Sequence, residues 1–362
     1  MRRALPLTMI ALLAACGGAA AQVPTTAPAA TTVTTTATTS TTMPMTTTVA
    51  TTTTTTSPPA STGPHRGRLV IHAVGDVNFA SNSTAIFNHT GFEHAWTGIR
   101  EIFRRDHLTI VNFECSPSAI GSPIEKKWAF RCPLDALPVM HAAGVEVTSM
   151  ANNHAGDLGK AALVDGRANL LAAGLAAIGA GADIAEANEP AIFEIDGWRI
   201  AVVGLGTVSG NGRWFAGEGF PGVAPASYEN ITTAVGAAAA QADIVIVTVH
   251  WGEDLAPGPT GGDRQRAQAM IDAGADVIVG HHPHRLQPLE VVDGVPVFWS
   301  MGNFVWPNLG HIQATTGIAE IVIETDGTIT GRIIPAYIES HGHPVLKGSP
   351  DPSLLPDRSA IE

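Results

Sequence analysis

The sequence predicts an α/β fold for the chain from residue 66 onward, and three observations support this. Short apolar runs typical of buried strands alternate with stretches of helical spacing. Residues 66–345 are numerous enough to bury the core of one large domain. No internal repeat of fixed period appears, so a solenoid or array is not predicted.

The individual elements follow from these runs and from their end signals. The predicted strands are Leu69–Val74, Leu108–Phe113, Val145–Met150, two runs within Ile192–Val203, Ile244–Val249 and Asp276–Val279. Helical spacing covers Ala161–Ala173 and Arg264–Ala273, with the next glycine as the stop signal in each case. Asp-Gly pairs at 196–197, 293–294 and 326–327 predict hairpin turns.

The N-terminus has the pattern of a bacterial lipoprotein signal peptide at residues 1–21. Arginines at positions 2 and 3 precede an apolar run at 5–15 that is too short to span a bilayer. The run ends Leu-Ala-Ala-Cys, which predicts lipidation of Cys16. An ordinary secretory signal cut near residues 19–21 is the alternative. The lipoprotein pattern predicts a protein anchored at the extracytoplasmic face of the bacterial membrane.

Two segments outside the predicted domain have no apolar periodicity. Residues 22–65 are rich in Thr, Ala, Pro and Ser, which predicts a disordered tether. Residues 346–362 are rich in Pro, Ser and charge and are predicted to be a flexible tail. Disorder of residues 22–65 without a spacer role is the alternative for that segment.

The cysteines and the net charge limit the classes of function that the sequence is compatible with. An exported protein can form a disulfide between Cys115 and Cys132; two free thiols, or metal ligation by Cys115, are the alternatives. The net charge of −12 and the lack of a basic cluster exclude a nucleic-acid partner. An anionic substrate would therefore need local cations, although most of the candidates fit ordinary surface charge equally well: Lys126, Lys127, Arg131, Arg213, Arg264 and Arg285.

Five polar clusters follow the carboxyl ends of predicted strands. They are Asp76; Asn112 with Glu114; Asn152, Asn153 and His154; His250; and His282 with His284. Ligands of open α/β sheets bind beyond these strand ends, so the clusters are expected to converge. Carboxylate, amide oxygen and imidazole suit a site for two transition-metal ions. Taken singly, a turn, a helix N-cap or a packed core histidine would explain most of the clusters.

The order and spacing of these motifs resemble the calcineurin-like metallophosphatases, and most closely their CapA branch of poly-γ-glutamate capsule synthesis proteins. The motifs are Gly75-Asp76, Asn112-Phe113-Glu114, Ala151-Asn152-Asn153-His154 with Asp157 and Gly159, His250-Trp251-Gly252, Gly280-His281-His282-Pro283-His284 with Gln287-Pro288, and Ser300-Met301-Gly302-Asn303-Phe304. The resemblance covers roughly residues 70–305. It implies one domain built as a four-layer sandwich, with two mixed β-sheets flanked by helices.

The resemblance also implies roles for individual residues. Two divalent transition-metal ions (Mn, Fe or Zn) would be held by Asp76 and His284 on one side, by Asn153, His250 and His282 on the other, and by Glu114 between them. His154 and Asp157 are the implied catalytic residues. The implied substrate-contacting or supporting residues are Asn78, Asn112, Asn152, Glu253, Asp254, His281, Arg285 and Asn303.

Four positions depart from the expected patterns. Asn78 stands where the superfamily has a histidine ligand, and Glu114 where it has a bridging aspartate. Ala155 replaces an acidic residue after the Asn-His pair. Asp254 takes the place of the glutamate in the His-Trp-Gly motif, with Glu253 beside it. A weaker first metal position, or a different metal preference, is the expected consequence.

The resemblance implies a role in making, exporting or anchoring poly-γ-glutamate or a related anionic envelope polymer, with membrane-bound synthase subunits as further partners. The leading hypothesis is a metal-dependent hydrolase or transferase acting on a phosphoester or an amide, with His154 assisting at the reacting oxygen or the leaving group. The alternatives are a non-catalytic, polymer-binding accessory protein and a general periplasmic metallophosphatase.

Overall fold

The computed structural model describes residues 65–80, 82–208 and 213–348, all within one compact unit. The predicted signal peptide with Cys16, most of the predicted tether and most of the predicted tail lie outside the described residues, and their boundaries stay predictions. None of the described helices has the length and apolar character needed to cross a bilayer.

Sixteen strands and eight α-helices, with one 3-10 helix at Phe92–Trp96, make up the described structure. The strands are β1 (Leu69–Val77), β2 (Leu108–Phe113), β3 (Val147–Ser149), β4 (Ala176–Ile178), β5 (Ala180–Gly181), β6 (Ala191–Ile195), β7 (Trp198–Gly206), β8 (Gly222–Val223), β9 (Ile244–His250), β10 (Val277–His281), β11 (Leu289–Val292), β12 (Val295–Phe298), β13 (Asn303–Val305), β14 (Thr315–Ile323), β15 (Ile329–Ser340) and β16 (His343–Leu346). The helices are α1 (Asn82–Thr90), α2 (Arg100–Phe103), α3 (Ala136–Ala142), α4 (Lys160–Ala172), α5 (Ile184–Ala187), α6 (Tyr228–Ala239), α7 (Gly261–Asp272) and α8 (His311–Ala314).

The strands form two large mixed sheets. The first has the order β16-β15-β14-β1-β2-β3-β4, with β13 also paired to β1. Its strands β1 to β4 are parallel, while β14 to β16 pair antiparallel. The second has the order β11-β12-β10-β9-β7-β6, with a parallel centre and one antiparallel strand at each edge. Strands β5 and β8 form a separate small pair.

The layers follow from strand periodicity, because successive side chains of a strand point to opposite faces. Leu69, Ile71 and Ala73 of β1 pack in a core shared with β7, β9 and β10, so the two sheets stack face to face. Val74 and the outer face of the first sheet pack against α1 to α4. The outer face of the second sheet packs against α6 and α7. The predicted four-layer α/β sandwich is therefore confirmed.

Strand register brings the predicted polar clusters together at one edge. Asp76 at the end of β1 pairs with Asn112 of β2 on one side and with Asn303 of β13 on the other. In the second sheet, His281 of β10 is the register partner of His250 of β9. Since the central strands of each sheet are parallel, their carboxyl ends carry these side chains at the same edge.

Candidate metal centre

Two buried carboxylates form the base of the site at the ends of β1 and β2. Asn112 donates its side-chain amide to Asp76 Oδ1 at 2.8 Å and to Glu114 Oε2 at 3.3 Å, and this fixes both groups. The preceding glycine lets β1 reach this position. A Cβ atom on Gly75 would lie 1.9 Å from the carbonyl oxygen of Gly302, so no larger residue fits there.

Three histidines reach the carboxylates from the end of β10. His284 Nδ1 lies 2.9 Å from Asp76 Oδ2, and its Nε2 lies 3.8 Å from Glu114 Oε1. His281 Nδ1 lies 3.9 Å from Asp76 Oδ1. His282 and His284 have positive φ angles of 95° and 50°. Such backbone costs on the order of 1–3 kcal/mol per residue, and it is typical of functional sites.

His250 and Asn153 complete the cluster from the ends of β9 and β3. His250 Nε2 lies 2.8 Å from Asn153 Oδ1 and 3.5 Å from Glu114 Oε1. Possible ligand atoms lie within 4.8 Å of one another in two sets: Glu114 with His282 and His284, and Asp76 with Glu114 and His250. Glu114 is common to both sets, as a bridging ligand would be. The sets divide the histidines differently from the assignment that the resemblance implies.

Burial governs protonation in this cluster. Burial, followed by the charge of neighbouring His282, holds the pKa of His250 well below its usual value. Burial also lowers the pKa of His281 and of His282 to about 4. For His282 the charge of His284 lowers the pKa further, while Asp254 and Asp76 act to raise it. These rings are therefore neutral at neutral pH, and neutral imidazole is the form that binds metals.

The carboxylates and His284 behave differently because they compensate one another. Burial acts to lower the pKa of His284, yet its contact with Asp76 raises it overall. Burial acts to raise the pKa of Asp76, but His284 lowers it overall. Burial, and then the nearby charge of Asp76, raises the pKa of Glu114 well above its usual value. One buried carboxyl group is thus left without a compensating cation.

The donor set fits divalent transition metals. Glu114 Oε1 is buried and accepts no hydrogen bond from any described residue, although two imidazole nitrogens lie within 4 Å of it. His282 Nδ1 and both ring nitrogens of His281 are likewise buried without a hydrogen-bond partner among the described residues. Orphaned acceptors of this kind are costly unless a cation completes them. Imidazole with carboxylate is the ligand chemistry of Mn, Fe and Zn.

A second polar group stands beside the cluster. His154 Nδ1 lies 2.7 Å from Asp157 Oδ2, and Lys126 Nζ lies 2.5 Å from Asp157 Oδ1. The Lys126 ammonium also donates to the carbonyl oxygen of Asn153 at 3.0 Å. Burial lowers the pKa of His154 although Asp157 acts to raise it. The carboxylate therefore orients the imidazole, which lines the adjoining cavity.

That cavity has a volume of about 530 Å³ and opens onto His282, His284, Asn153 and His154. Aromatic rings frame it. The Phe130 ring lies 4.5 Å from that of His154, and the Trp306 ring lies 4.7 Å from that of His284. The volume and the aromatic walls of this cavity are typical of sites that bind small molecules.

The remaining predicted residues fall into two groups. Six of them lie at the cluster or its cavity: Asn112, Asn152, Asn303, His281, Asn78 and Asp254. Asn152 Nδ2 donates to Asn112 Oδ1 at 3.1 Å, and Asn303 Oδ1 lies 2.9 Å from His284 Nδ1. Asp254 Oδ1 lies 3.4 Å from His282 Nε2.

Two predicted residues, Glu253 and Arg285, do not line the cavity, and a third, Asn78, stabilises a turn beside it. Glu253 is exposed and forms no wall of the cavity. Arg285 donates to the carbonyl oxygen of Leu255 at 3.4 Å, away from the metal cluster. Neither residue lines this cavity, and their contact with substrate or ligands stays a prediction. Asn78 Oδ1 accepts the backbone N–H of Ala80 at 2.7 Å, so its side chain stabilises a turn.

A disulfide between Cys115 and Cys132, whose Cα atoms are 5.6 Å apart, closes a loop that contributes residues to the site. This loop carries Lys126, which was predicted only as a candidate cation for an anionic substrate, and Phe130, which was not predicted. The backbone N–H of Phe130 donates to Asp157 Oδ2 at 2.6 Å. Trp306 was also not predicted. The available signals were position alone: one residue lies just after the Asn303-Phe304 motif, and the others lie between the two cysteines.

Comparison with known proteins places the chain in a family. The model of the family "Bacterial capsule synthesis protein PGA_cap" matches residues 70–308. The PGA biosynthesis protein CapA of Bacillus subtilis is 32% identical over 281 residues, which cover 76% of this chain and 73% of that protein. The capsule biosynthesis protein CapA of Bacillus anthracis is 26% identical, over 79% of this chain and 69% of that protein.

A comparison of folds finds the NAD nucleotidase of Haemophilus influenzae with a TM-score of 0.46 and 15% identity. The match covers 75% of this chain and 50% of that structure, so the chain spans about half the length of that enzyme. Family membership is carried by the sequence matches. Because the family model covers about two thirds of the sequence and includes every strand end that bears a predicted ligand, this chain belongs to the bacterial capsule synthesis protein PGA_cap family.

Proposed function

We propose that this chain is a metal-dependent hydrolase or transferase that acts in the synthesis, export or anchoring of poly-γ-glutamate or a similar anionic envelope polymer. Family membership and the names of its relatives support the polymer. The observation that carries the chemistry is the buried, unpartnered Glu114 Oε1 between His250 and His284.

Glu114 would be shared between two metal ions. Asp76 and His284 would hold one ion, and Asn153, His250 and His282 would hold the other. When bound, such ions supply Lewis acidity that polarises a phosphoryl or carbonyl oxygen. The chain itself supplies neutral imidazoles, a fixed pair of carboxylates and an adjoining cavity for the substrate.

His154 is the proposed proton-transfer group. In its neutral form Nδ1–H donates to Asp157 Oδ2, which leaves Nε2 as the nitrogen that exchanges a proton with substrate. Asp157 keeps the ring in this tautomer and stabilises its protonated form. Lys126 in turn holds the Asp157 carboxylate. This arrangement assists an oxygen or nitrogen leaving group on the cavity side of the cluster.

The test is elemental analysis of the purified full chain together with a generic phosphodiester assay. We expect about two transition-metal ions per chain, on the two-metal pattern, and turnover that depends on them. His282→Ala should lose metal and turnover together. His89→Ala is the matched control, since His89 is exposed on α1 and lies outside the cluster.

Folded protein that takes up no Mn, Fe or Zn and shows no turnover would overturn the enzyme proposal. That outcome would favour a polymer-binding accessory protein. Turnover with metal but no effect of gene deletion on envelope polymer would instead favour a general periplasmic metallophosphatase.

We further propose that Cys16 anchors the chain by lipid at the extracytoplasmic face of the membrane, where membrane-bound synthase subunits would be its neighbours. The lipobox pattern ending at Cys16 supports this. Cell fractionation tests it: the full chain should sediment with membranes, and Cys16→Ala should appear in the soluble extracytoplasmic fraction. Equal membrane association of both forms would rule out the anchor.

A further inference from the structure

A second cavity adjoins the one at the metal cluster. It has a volume of about 500 Å³, and Lys126 and Asn153 line both cavities. Asn153 belongs to the cluster, because its Oδ1 lies 2.8 Å from His250 Nε2. The two cavities therefore adjoin at Lys126 and Asn153, next to the metal cluster.

The far wall of the second cavity is packed onto the loop that bears the proposed catalytic residues. Trp214 lines this cavity, and a Cβ atom built on Gly156 would lie 2.6 Å from its Cε3 atom. The indole thus lies directly against the backbone between His154 and Asp157. A wall in direct contact with this loop holds a bound ligand at a defined distance from the reacting groups.

Positive charge lines both cavities. Arg213 lines the second cavity, is exposed, and forms no ion pair with any described residue. Lys127 lines the first cavity and is exposed as well, with its Nζ 5.5 Å from the Trp128 ring. Lys126 lies between them. Each cavity is also lined by one carboxylate, Glu125 in the second and Asp254 in the first, so three cations stand beside two acidic groups. In a chain with a net charge of −12, this local excess of cations is an exception.

We propose that the two cavities are successive subsites for one linear polyanion, which lies beside the metal centre with a segment in each cavity. Arg213 and Lys127 bind acidic groups of the two segments. The indole rings of Trp214 and Trp128, which line the two cavities, pack against the backbone of the polymer. This inference rests on the proposed function only for the choice of an anionic polymer, and it concerns binding alone. It implies that the protein engages such a chain internally and not at its end.

The experiment measures binding of fluorescently labelled poly-γ-glutamate to the full chain at low salt, for long chains and for oligomers of two or three residues. Arg213→Glu and Lys127→Glu should each weaken binding of the long polymer about fivefold, because each reversal replaces an exposed ionic contact by repulsion. The matched control is Arg104→Glu, which reverses an exposed arginine that lines neither cavity. It should change affinity less than twofold.

Oligomer length separates two subsites from one. A short oligomer occupies one cavity, so its affinity should respond to only one of the two substitutions. The long polymer should respond to both, and its binding should weaken with added salt. Linear polyphosphate is the second probe. If the affinities of both polymers depend equally on the two substitutions, the subsites recognise negative charge. If only poly-γ-glutamate binds, they recognise carboxylates.

An Arg213→Glu effect on the long polymer no larger than that of Arg104→Glu would overturn the inference. So would equal responses of short and long chains to both substitutions. Metal content and phosphodiester turnover of the same preparations report separately on the proposed function. Variant-dependent polymer binding without metal would leave this inference standing while the enzyme proposal fails.

Discussion

Two buried clusters of histidines and carboxylates occur along strand β1, and they differ in how their charges are balanced. In the first, His72 Nδ1 lies 2.8 Å from Asp106 Oδ2, and its Nε2 lies 3.6 Å from Glu320 Oε2. Thr109 donates its hydroxyl to Asp106, and Arg332 forms an ion pair with Glu320. Two carboxylates thus face two cationic partners supplied by the chain itself.

The second cluster, four residues further along β1, has no such balance. Asp76 is compensated by His284, but Glu114 has no cationic partner of its own and its pKa is raised well above the usual value by burial and by Asp76. His281 and His282 are held neutral. The difference lies in charge balance and not in hydrogen bonding, because His72 Nε2 and Glu320 Oε2 are also buried without a hydrogen-bond partner among the described residues. We infer that a buried cluster whose charges the protein balances serves the fold, while one left short of a cation marks a metal site.

The largest expected effect comes from exchanging a carboxylate for an amide in each cluster. Glu320→Gln should lower the free energy of unfolding by about 3 kcal/mol, because it leaves the partly buried Arg332 and the buried His72 without their carboxylate. Glu114→Gln should leave the unfolding free energy of metal-free protein unchanged or higher, since burial and Asp76 already disfavour the ionised carboxyl group and glutamine cannot ionise.

Urea unfolding in the presence of a chelator measures both effects, and elemental analysis supplies the cross-check. Glu114→Gln should lose metal and turnover, while Glu320→Gln should keep both wherever it remains folded. A Glu114→Gln protein that unfolds as readily as Glu320→Gln would break the distinction between the two clusters.

The second cluster, at Asp76 and Glu114, could be predicted from sequence because its ligands follow strand ends in a fixed order. Asp76, Glu114, His250, His282 and His284 each end a hydrophobic run, and parallel pairing brings them to one edge. The cluster at His72 gave no such signal. His72 stands inside a strand, and its partners come from two separate positions in the chain. Glu320 is brought to it by the antiparallel pairing of β1 with β14, and Asp106, just before β2, by the parallel pairing of β1 with β2.

The same limit applies to parts of the fold. The strands that the sequence predicted, and the two helices bounded by glycine, were placed within a few residues of their observed bounds, since apolar runs and turn signals are local. Short strands such as β4, β5 and β8 were not predicted. Helix α6 was not predicted. Its composition is rich in Ala and Thr, and its start depends on Ser227, whose side chain accepts the backbone N–H of Asn230. Glu253 and Arg285 were assigned to the site by motif proximity, but the turn after β9 exposes the first.

The disulfide extends the comparison to the wall of the cavity, with an effect of similar size. Replacing Cys115 and Cys132 together by alanine should lower the free energy of unfolding by about 3 kcal/mol, from the closure of a loop with a sequence separation of 17 residues. Turnover should fall as well, because the loop carries Lys126 and Phe130 to Asp157. Metal content should stay unchanged, since no proposed ligand lies within the loop.

Chelator-treated urea unfolding and elemental analysis of this double variant test that separation. Loss of metal together with the disulfide would show that the wall and the cluster form one cooperative unit. Unchanged turnover would show that the wall does not position His154 and Asp157.

The smallest effect is the pH dependence of stability in metal-free protein, where His72 of the first cluster and His282 of the second should act with opposite signs. Burial acts to lower the pKa of His72, but Asp106 and Glu320 raise it above 6.5. The folded state then binds the extra proton, so this stabilisation is present below pH 6.5 and is lost as pH rises through the folded pKa. His282, with its pKa lowered to about 4, binds fewer protons when folded, so its contribution is lost as pH falls from 6.5 toward 4.

Urea unfolding of chelator-treated protein between pH 4 and pH 9 resolves the two limbs, with maximum stability expected near pH 6.5. His72→Gln should flatten the decline above that pH, and His282→Gln should flatten the decline below it. Glu320 adds a further loss toward low pH, because the lowered pKa of this carboxyl makes its contribution disappear as pH falls through 4.5 and below. If both substitutions flatten the same limb, the clusters share one charge balance, and the assignment of one to the fold and the other to metal binding is wrong.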